Sequence, residues 1–448
     1  MLRLLACLTA ALVLPLSAAA QVPVTAAMLK TYCFRCHSEN VQAGGLMLDR
    51  IDTNHVRVDG EVWERILRQL RARTMPPPSI SGSKPDNATY ESAIAELETQ
   101  LDKLAVPLRA ADRASNGELG TRIATLLWGD SPDAALLDAA KRGELGSTAG
   151  LQKQVLRMMA DSRSRKFVAD FLEKWLHVDS IPQMPVDSQK FGLFEGNIYS
   201  DMKREMTMFL DSQFREDRPV TEVFTANYTF MNSQLARIYE IPGVSGTQFV
   251  RVTFNDDKRA GILGRAGFLG MTSFDARTSA TMRGKWLLGV FLGTPPPAPP
   301  PNLPLAHNFR SRGQLDAAYS ERGCSGCHFV SQLGGALENF DDIGQWRATD
   351  LGEPVDASGM LPDGTVVNGP VELRNALMKY RETYVLTLTE KLMTYALGRG
   401  IERRPVYWQE MPAVRGVIRS GAKNDYRWSS LIVGIIQSSP FQMRKVLP

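Results

Sequence analysis

Residues 32–38 read YCFRCHS and residues 323–329 read GCSGCHF, so the chain spells C-x-x-C-H twice, almost three hundred positions apart. Of its five cysteines, Cys33, Cys36, Cys324 and Cys327 all belong to these motifs, each pair followed at once by His37 or His328. Structural disulfides give no reason to place a histidine at the same position twice. A zinc site needs its ligands gathered, and these pairs are far apart in sequence. Two thiols three residues apart on a helical turn can each form a thioether to one porphyrin, and the next residue then offers its imidazole to the iron. The motifs therefore predict two covalent haem c groups, on Cys33 and Cys36 and on Cys324 and Cys327, with His37 and His328 as axial ligands.

The fifth cysteine, Cys7, lies in MLRLLACLTAALVLPLSAAAQ, where one early cation, an apolar run and small residues before Gln21 have the layout of a secretory leader over residues 1–20. Cys7 sits too early in the apolar run to be a lipid-bearing residue. Haem c is attached after export, so leader and motifs predict the same place, the periplasm. No later segment has the roughly 20 continuous apolar residues of a membrane span.

Composition narrows the partners. At 448 residues, 44% hydrophobic and 22% charged, the chain is ordinary globular protein with room for two to four domains. Its net charge of +4 is spread along the sequence, with no basic block to mark a nucleic-acid or anionic-lipid surface. The expected partner is a periplasmic redox protein.

A sixth ligand for the first haem is legible downstream. EVWERILRQLRARTMPPP carries Trp63, Ile66, Leu67 and Leu70 on one helical face and ends at Met75 before three prolines, 38 residues after His37. DNATYESAIAELETQLDKLA then sets Tyr90, Ile94, Leu97, Leu101 and Leu104 at helical spacing behind an Asp86 cap. Haem-binding helix, helix, methionine loop and closing helix are the order of a small class I cytochrome c domain; Met47 is the competing ligand. For the second haem, Met360 in DASGMLPDG is the candidate, with another side chain or an open position as alternatives. Met378 also lies downstream, and Met393 reads as the buried side of a helix. Trp346 reads as core, with an electron relay as the other reading.

The chain between the motifs predicts helix. Phe167, Phe171, Leu172 and Trp175 form one apolar stripe, and Met202, Met206, Phe209 and Leu210 another, all read as core. His177 reads as a packed core histidine; His55 and His307 stand in polar or proline-flanked contexts from which either could reach an iron. EIPGVSGTQFVRVTFNDD has the turns and alternation of a short β-hairpin. TPPPAPPPNLP, residues 294–304, favours polyproline II and acts as a stiff spacer of about 3 Å per residue. The expected architecture is mainly α: a leader (1–20), a cytochrome c-like domain (21–110), a helical domain (111–186), a helical domain with a small β element (187–293), the proline linker (294–304) and a C-terminal haem domain (305–448).

Seven stretches, in order, resemble the successive blocks of the multidomain cytochrome c-containing proteins abundant in planctomycetes. They include LWGDSPDAALLDAAKRGEL, ANYTFMNSQLARIYEIPG, CSGCHFVSQLGGALENFDDIGQWRATD and LIVGIIQSSPFQMR, and the likeness runs from about residue 118 to 446 behind a cytochrome c module. The resemblance implies an exported, redox-active haem protein of unassigned substrate. It sets Cys324, Cys327 and His328 on the family's C-terminal motif and Cys33, Cys36, His37 and Met75 on its N-terminal module. The chain departs from the family in having FVSQLGG where a Met-Asp-Pro usually follows the second motif. The DASG block usually continues without methionine, so Met360 gains no support from it.

The leading functional expectation is electron transfer through two haems. A dihaem oxidase, peroxidase or oxygenase with an open second site is the alternative, and a binding protein with accessory haems is a third. No Ser/His/Asp set, phosphate loop or paired-carboxylate motif points to a hydrolase or nucleotide enzyme.

Overall fold

The computed structural model describes residues 24–53, 55–77, 84–105, 113–183, 198–273, 277–296, 325–350, 352–399 and 406–443, the side chains of 325–329 excepted. The expected leader with Cys7, most of the proline run, His307 and Cys324 lie outside the described residues. Helix accounts for 60% of the structure, and strands occur only as three two-stranded ribbons among the described residues.

The N-terminal module has its own core. Helix α1 (Val24–Met28) runs on through a π turn, Leu29–Cys33; α2 spans Gly60–Arg71 and α3 Asn87–Asp102. Trp63, Ile66, Leu67 and Leu70 of α2 are all buried against Tyr90, Ile94, Leu97 and Leu101 of α3 and Met28, Leu29 and Cys33. Each such side chain contributes roughly 1.5–3 kcal/mol by leaving water. Asp86 caps α3 by accepting from the Thr89 N–H at 2.7 Å, worth about 1 kcal/mol. Thr25 joins α1 to α3, donating its N–H and hydroxyl to Glu96 Oε2, both at 2.8 Å.

A second core draws on every described stretch beyond Ala114, from Leu119 to Phe441. We call this part the body. Its early helices are α4 (Asn116–Trp128), α5 (Ala134–Lys141), α6 (Thr148–Ala160), α7 (Arg165–Phe167, continued by a π turn) and α8 (Ile198–Arg215). The two apolar stripes read from the sequence meet here: Phe167, Phe171, Leu172, Trp175, Met202, Met206, Phe209 and Leu210 are all buried. Phe167 stacks on Phe214 at 4.5 Å and meets Trp428 edge-on at 6.3 Å, binding segments distant in sequence.

Strand β1 (Tyr228–Met231) pairs antiparallel with β2 (Val250–Thr253), and helix α9 (Ser233–Ile238) lies between them. The expected strand is thus present, but its partner lies upstream of the stretch read as a hairpin. Tyr228 and Met231 of β1 are buried on alternate faces of the ribbon, apolar burial that the Pro- and Gly-bearing residues 240–246 cannot supply. His177 differs from its reading more sharply. It is exposed and takes a left-handed backbone (φ 63°) just past the buried Leu176. Its carbonyl accepts the Ser180 N–H and hydroxyl, so the chain turns at His177 instead of packing it.

Helices α10 (Ala266–Met271) and α11 (Ala280–Trp286) lead to α12 (Ser325–Gly335), which bears the second motif. The ribbons β3/β4 (Thr349–Asp350, Glu353–Pro354) and β5/β6 (Ser358–Met360, Val366–Asn368) follow. Helices α13 (Gly369–Leu377), α14 (Arg381–Ala396), α15 (Met411–Ala422), α16 (Trp428–Gln437) and α17 (Ser439–Gln442) close the body. The last turns return to the first: Arg122 Nη1 donates to the carbonyls of Phe441 and Met443, both at 2.6 Å. No helix among the described residues is long and apolar enough to cross a membrane.

Candidate functional site

The first C-x-x-C-H sits where α1 ends. The His37 N–H donates to the Cys33 carbonyl at 2.9 Å and the Cys36 N–H to the same carbonyl at 3.1 Å, so one turn carries both thiols and the imidazole. The loop that follows folds back onto this turn, with Ala43 N–H on the Cys36 carbonyl (3.0 Å) and Leu48 N–H on the His37 carbonyl (2.8 Å). That return brings the Ala43 carbonyl 2.8 Å from His37 Nδ1. A carbonyl can only accept, so Nδ1 carries the proton and Nε2 keeps its lone pair. A histidine oriented through Nδ1–H, with Nε2 free, is prepared as a metal ligand.

The Cys33 sulfur is set for a neutral state. Burial, reinforced by the neighbouring Cys36, pushes the Cys33 thiol up to about 11. An environment that penalises thiolate accepts a thioether, which has no charge to desolvate. The two cysteines are not joined in a disulfide, and among the described residues no three His, Cys, Asp or Glu side chains gather as a metal site. In the same core as Cys33, wholly buried Trp63 has an indole N–H with no acceptor among the described residues. A buried donor left over is a place for a group the chain does not itself provide. These residues fit a covalently attached haem.

Met75 is half-buried at the turn after α2. Its carbonyl accepts the Tyr90 hydroxyl at 2.9 Å. Arg73, left-handed at φ 56° and 8% exposed, lies 4.1 Å over the Tyr90 ring, donates to the Leu70 carbonyl and pairs with Glu91. Sequence periodicity placed Tyr90 in the core without its hydroxyl role; a tyrosine on a stripe otherwise built of aliphatic residues was the available signal. The competitors are placed differently. Met47 is exposed, and exposed His55 bonds Asp52 through Nδ1 at 2.6 Å.

The second motif opens α12. Cys324 lies outside the described residues, as do the side chains of Cys327 and His328. The helix that carries them is held with unusual closeness: a Cβ on Gly284 of α11 would collide with the Val330 carbonyl, and one on Gly334 with the Ala280 carbonyl. Backbone therefore meets backbone at this crossing. Arg283, wholly buried, donates to the carbonyls of Leu337 (2.7 Å), Phe340 (3.1 Å) and Asp341 (3.1 Å), fixing the chain as it leaves α12. Strand β5 packs on this helix through Gly359, whose Cβ would lie 2.9 Å from that of Ala336. Half-buried Met360, next along the strand, belongs to the opposite face, paired with exposed Val366. Met393 is wholly buried and accepts the Ser438 hydroxyl at 3.8 Å, in keeping with its core reading. Half-buried Met378 follows α13. Half-buried Trp346 meets Phe340 edge-on at 5.2 Å and lines a cleft of about 240 Å³ with Tyr239, Phe254 and Lys258.

The two cores are joined by charge. Arg415 of α15, 3% exposed, holds both oxygens of Glu64 on α2 at 2.9 Å and Asp102 of α3 at 2.7 Å. Arg68 pairs with buried Glu390 of α14 at 2.8 Å. Burial pushes the Glu64 carboxyl up, and the Arg415 guanidinium pulls it back. Gly60 lies flat on Trp408, whose ring a Cβ would approach to 2.6 Å. None of these contacts leaves a periodic trace in sequence.

Comparison with known families gives four matches. A planctomycete cytochrome C family covers residues 33–79. Three families described as proteins of unknown function cover the body: DUF1592 over 115–241, DUF1588 over 259–350 and DUF1585 over 363–441. No curated protein and no solved structure matches the chain.

Proposed function

We propose that this chain, which belongs to the planctomycete-type multidomain cytochrome c family, is an exported dihaem c-type cytochrome that transfers electrons in the periplasm. Its N-terminal module is a cytochrome c domain, and such a domain binds haem c covalently. The observation that carries the reading is the His37 Nδ1–Ala43 carbonyl bond, which presents Nε2 beside two cysteines on one turn. A bound haem c supplies one-electron storage at its iron; the chain supplies ligands, insulation and a route. His37 and Met75 ligate the first iron, and such a pair leaves no position for substrate. The exposed loop around Glu39 to Gln42 then meets a periplasmic redox partner. The second haem rests on Cys324, Cys327 and His328 at the start of α12, and it is the inner site.

A second reading is supported by Met360. Its place on the face of β5 opposite Gly359 turns it from α12, favouring an open position at the second iron and an oxidase, peroxidase or oxygenase activity. Absorption and EPR spectra of the purified haem-loaded protein, with and without carbon monoxide, test both. Two low-spin irons that ignore carbon monoxide support the carrier. One high-spin iron that binds it supports the enzyme, and an absence of haem c spectra contradicts both.

A further inference from the structure

Described residues on either side of Met75 in sequence touch the body. On one side, wholly buried Ala72 belongs to the body's core and not to that of its own module. On the other, Lys84 Nζ donates to the Pro362 carbonyl at 2.7 Å. Tyr380 of the body, 9% exposed, lies within electrostatic range of Arg73 and Tyr90, and burial with an Asp363 hydrogen bond pushes its hydroxyl upward. Inside the module, Arg73 lies on Tyr90 and Tyr90 bonds the Met75 carbonyl. Arg73, Tyr90 and the Met75 carbonyl are thus linked by contact inside the module, and Tyr380 of the body lies within electrostatic range of that link. The loop that bears the histidine, by contrast, is exposed at Arg35, Glu39 to Gln42, Gly44 and Gly45.

We infer that the body is the outer half of a clamp on the Met75 turn, so that docking between the two parts sets how firmly Met75 stays on the first iron. This rests on the reading of Met75 as the sixth ligand. A thioether is a weak, neutral ligand, and a turn free to move surrenders it readily to competitors. Tyr90 restrains the turn from within, and Tyr380 with the Lys84–Pro362 contact restrains it from outside. Tyr90 and Tyr380 are positioning residues, acting through the turn and touching no iron. The same geometry makes the methionine side of the first site the inward-facing side, toward the body, and leaves the histidine loop to the external partner.

The test uses the full-length haem-loaded protein in its ferric state. Imidazole is titrated in, and loss of the Met–iron charge-transfer band is followed. Tyr90→Phe, Tyr380→Ala and Lys84→Ala each lower the imidazole concentration for half-displacement, Tyr90→Phe by about tenfold, the scale of one net hydrogen bond. Lys84→Ala, on the rim, serves if Tyr380→Ala fails to fold. Wild-type titrations for both body variants overturn the clamp, whatever Tyr90→Phe does. Met75→Ala separates the two claims: loss of the band upholds Met75 as ligand whatever the other variants do, and persistence of the band rejects that reading by itself.

Discussion

Arg415 reaches from the body to hold both carboxylate oxygens of Glu64 at 2.9 Å, and the pair is almost entirely removed from water. Such a pair gains little net stability, because desolvation opposes attraction; its value lies in defining one docking geometry. Arg415→Ala leaves the buried Glu64 without this partner, while Asp102 keeps Arg419 at 2.9 Å, and is expected to cost about 3–5 kcal/mol. The double variant Glu64→Leu with Arg415→Met removes both charges and costs far less. Chemical denaturation of the three proteins checks this. Equal losses for single and double variants would show that the charges do not act as a pair.

The α11–α12 crossing predicts a sharper effect from a smaller change. Gly284→Ala sets a methyl against the Val330 carbonyl, and Gly334→Ala sets one against that of Ala280. Neither backbone can yield without moving the helix that carries the second motif. Each substitution is expected to destabilise by about 3 kcal/mol, at the upper end for overpacking, and to lower incorporation at the second motif. Thermal melts and haem content per chain measure both. Gly416→Ala, which meets nothing within 4 Å, is the matched control.

Alkaline pH tests the aromatic core. Burial pushes the Tyr395 phenol up to about 12, with Asp170 adding to the shift, and the ring lies against Phe167 and Phe171 at 5.8 and 5.4 Å. The folded value lies above the unfolded one, near 10. This contribution to stability is therefore fully present below about pH 10 and is lost as pH rises through about 12. Tyr395→Phe removes the group, so the stability difference between wild type and variant should fall across that window and stay flat below it. Denaturant midpoints from pH 8 to 12 decide; a flat difference throughout would show that the phenol is not buried as described.

Much of the first site was legible before any coordinates. The α2 stripe of Trp63, Ile66, Leu67 and Leu70, the Asp86 cap and the proline-stiffened Met75 turn follow from local rules of periodicity and capping. What escaped was long-range or depended on backbone sign. Glu64 sits beside Trp63 and reads as a solvated charge until Arg415 arrives from 351 positions away. His177 lies between apolar neighbours, and only its positive φ turns it out to solvent. The β1–β2 pairing skips over α9, so a search confined to adjacent residues finds the second strand but not its partner.

On the proposed function, both C-x-x-C-H motifs hold haem through thioether bonds. The most direct measurement is the intact mass of the denatured, purified chain, alongside Cys33→Ala/Cys36→Ala. Thioether bonds at both motifs give a wild-type mass exceeding that of the mature polypeptide by two haems, and a variant mass exceeding its own by one. A wild-type chain with one haem or none after denaturation would contradict that function.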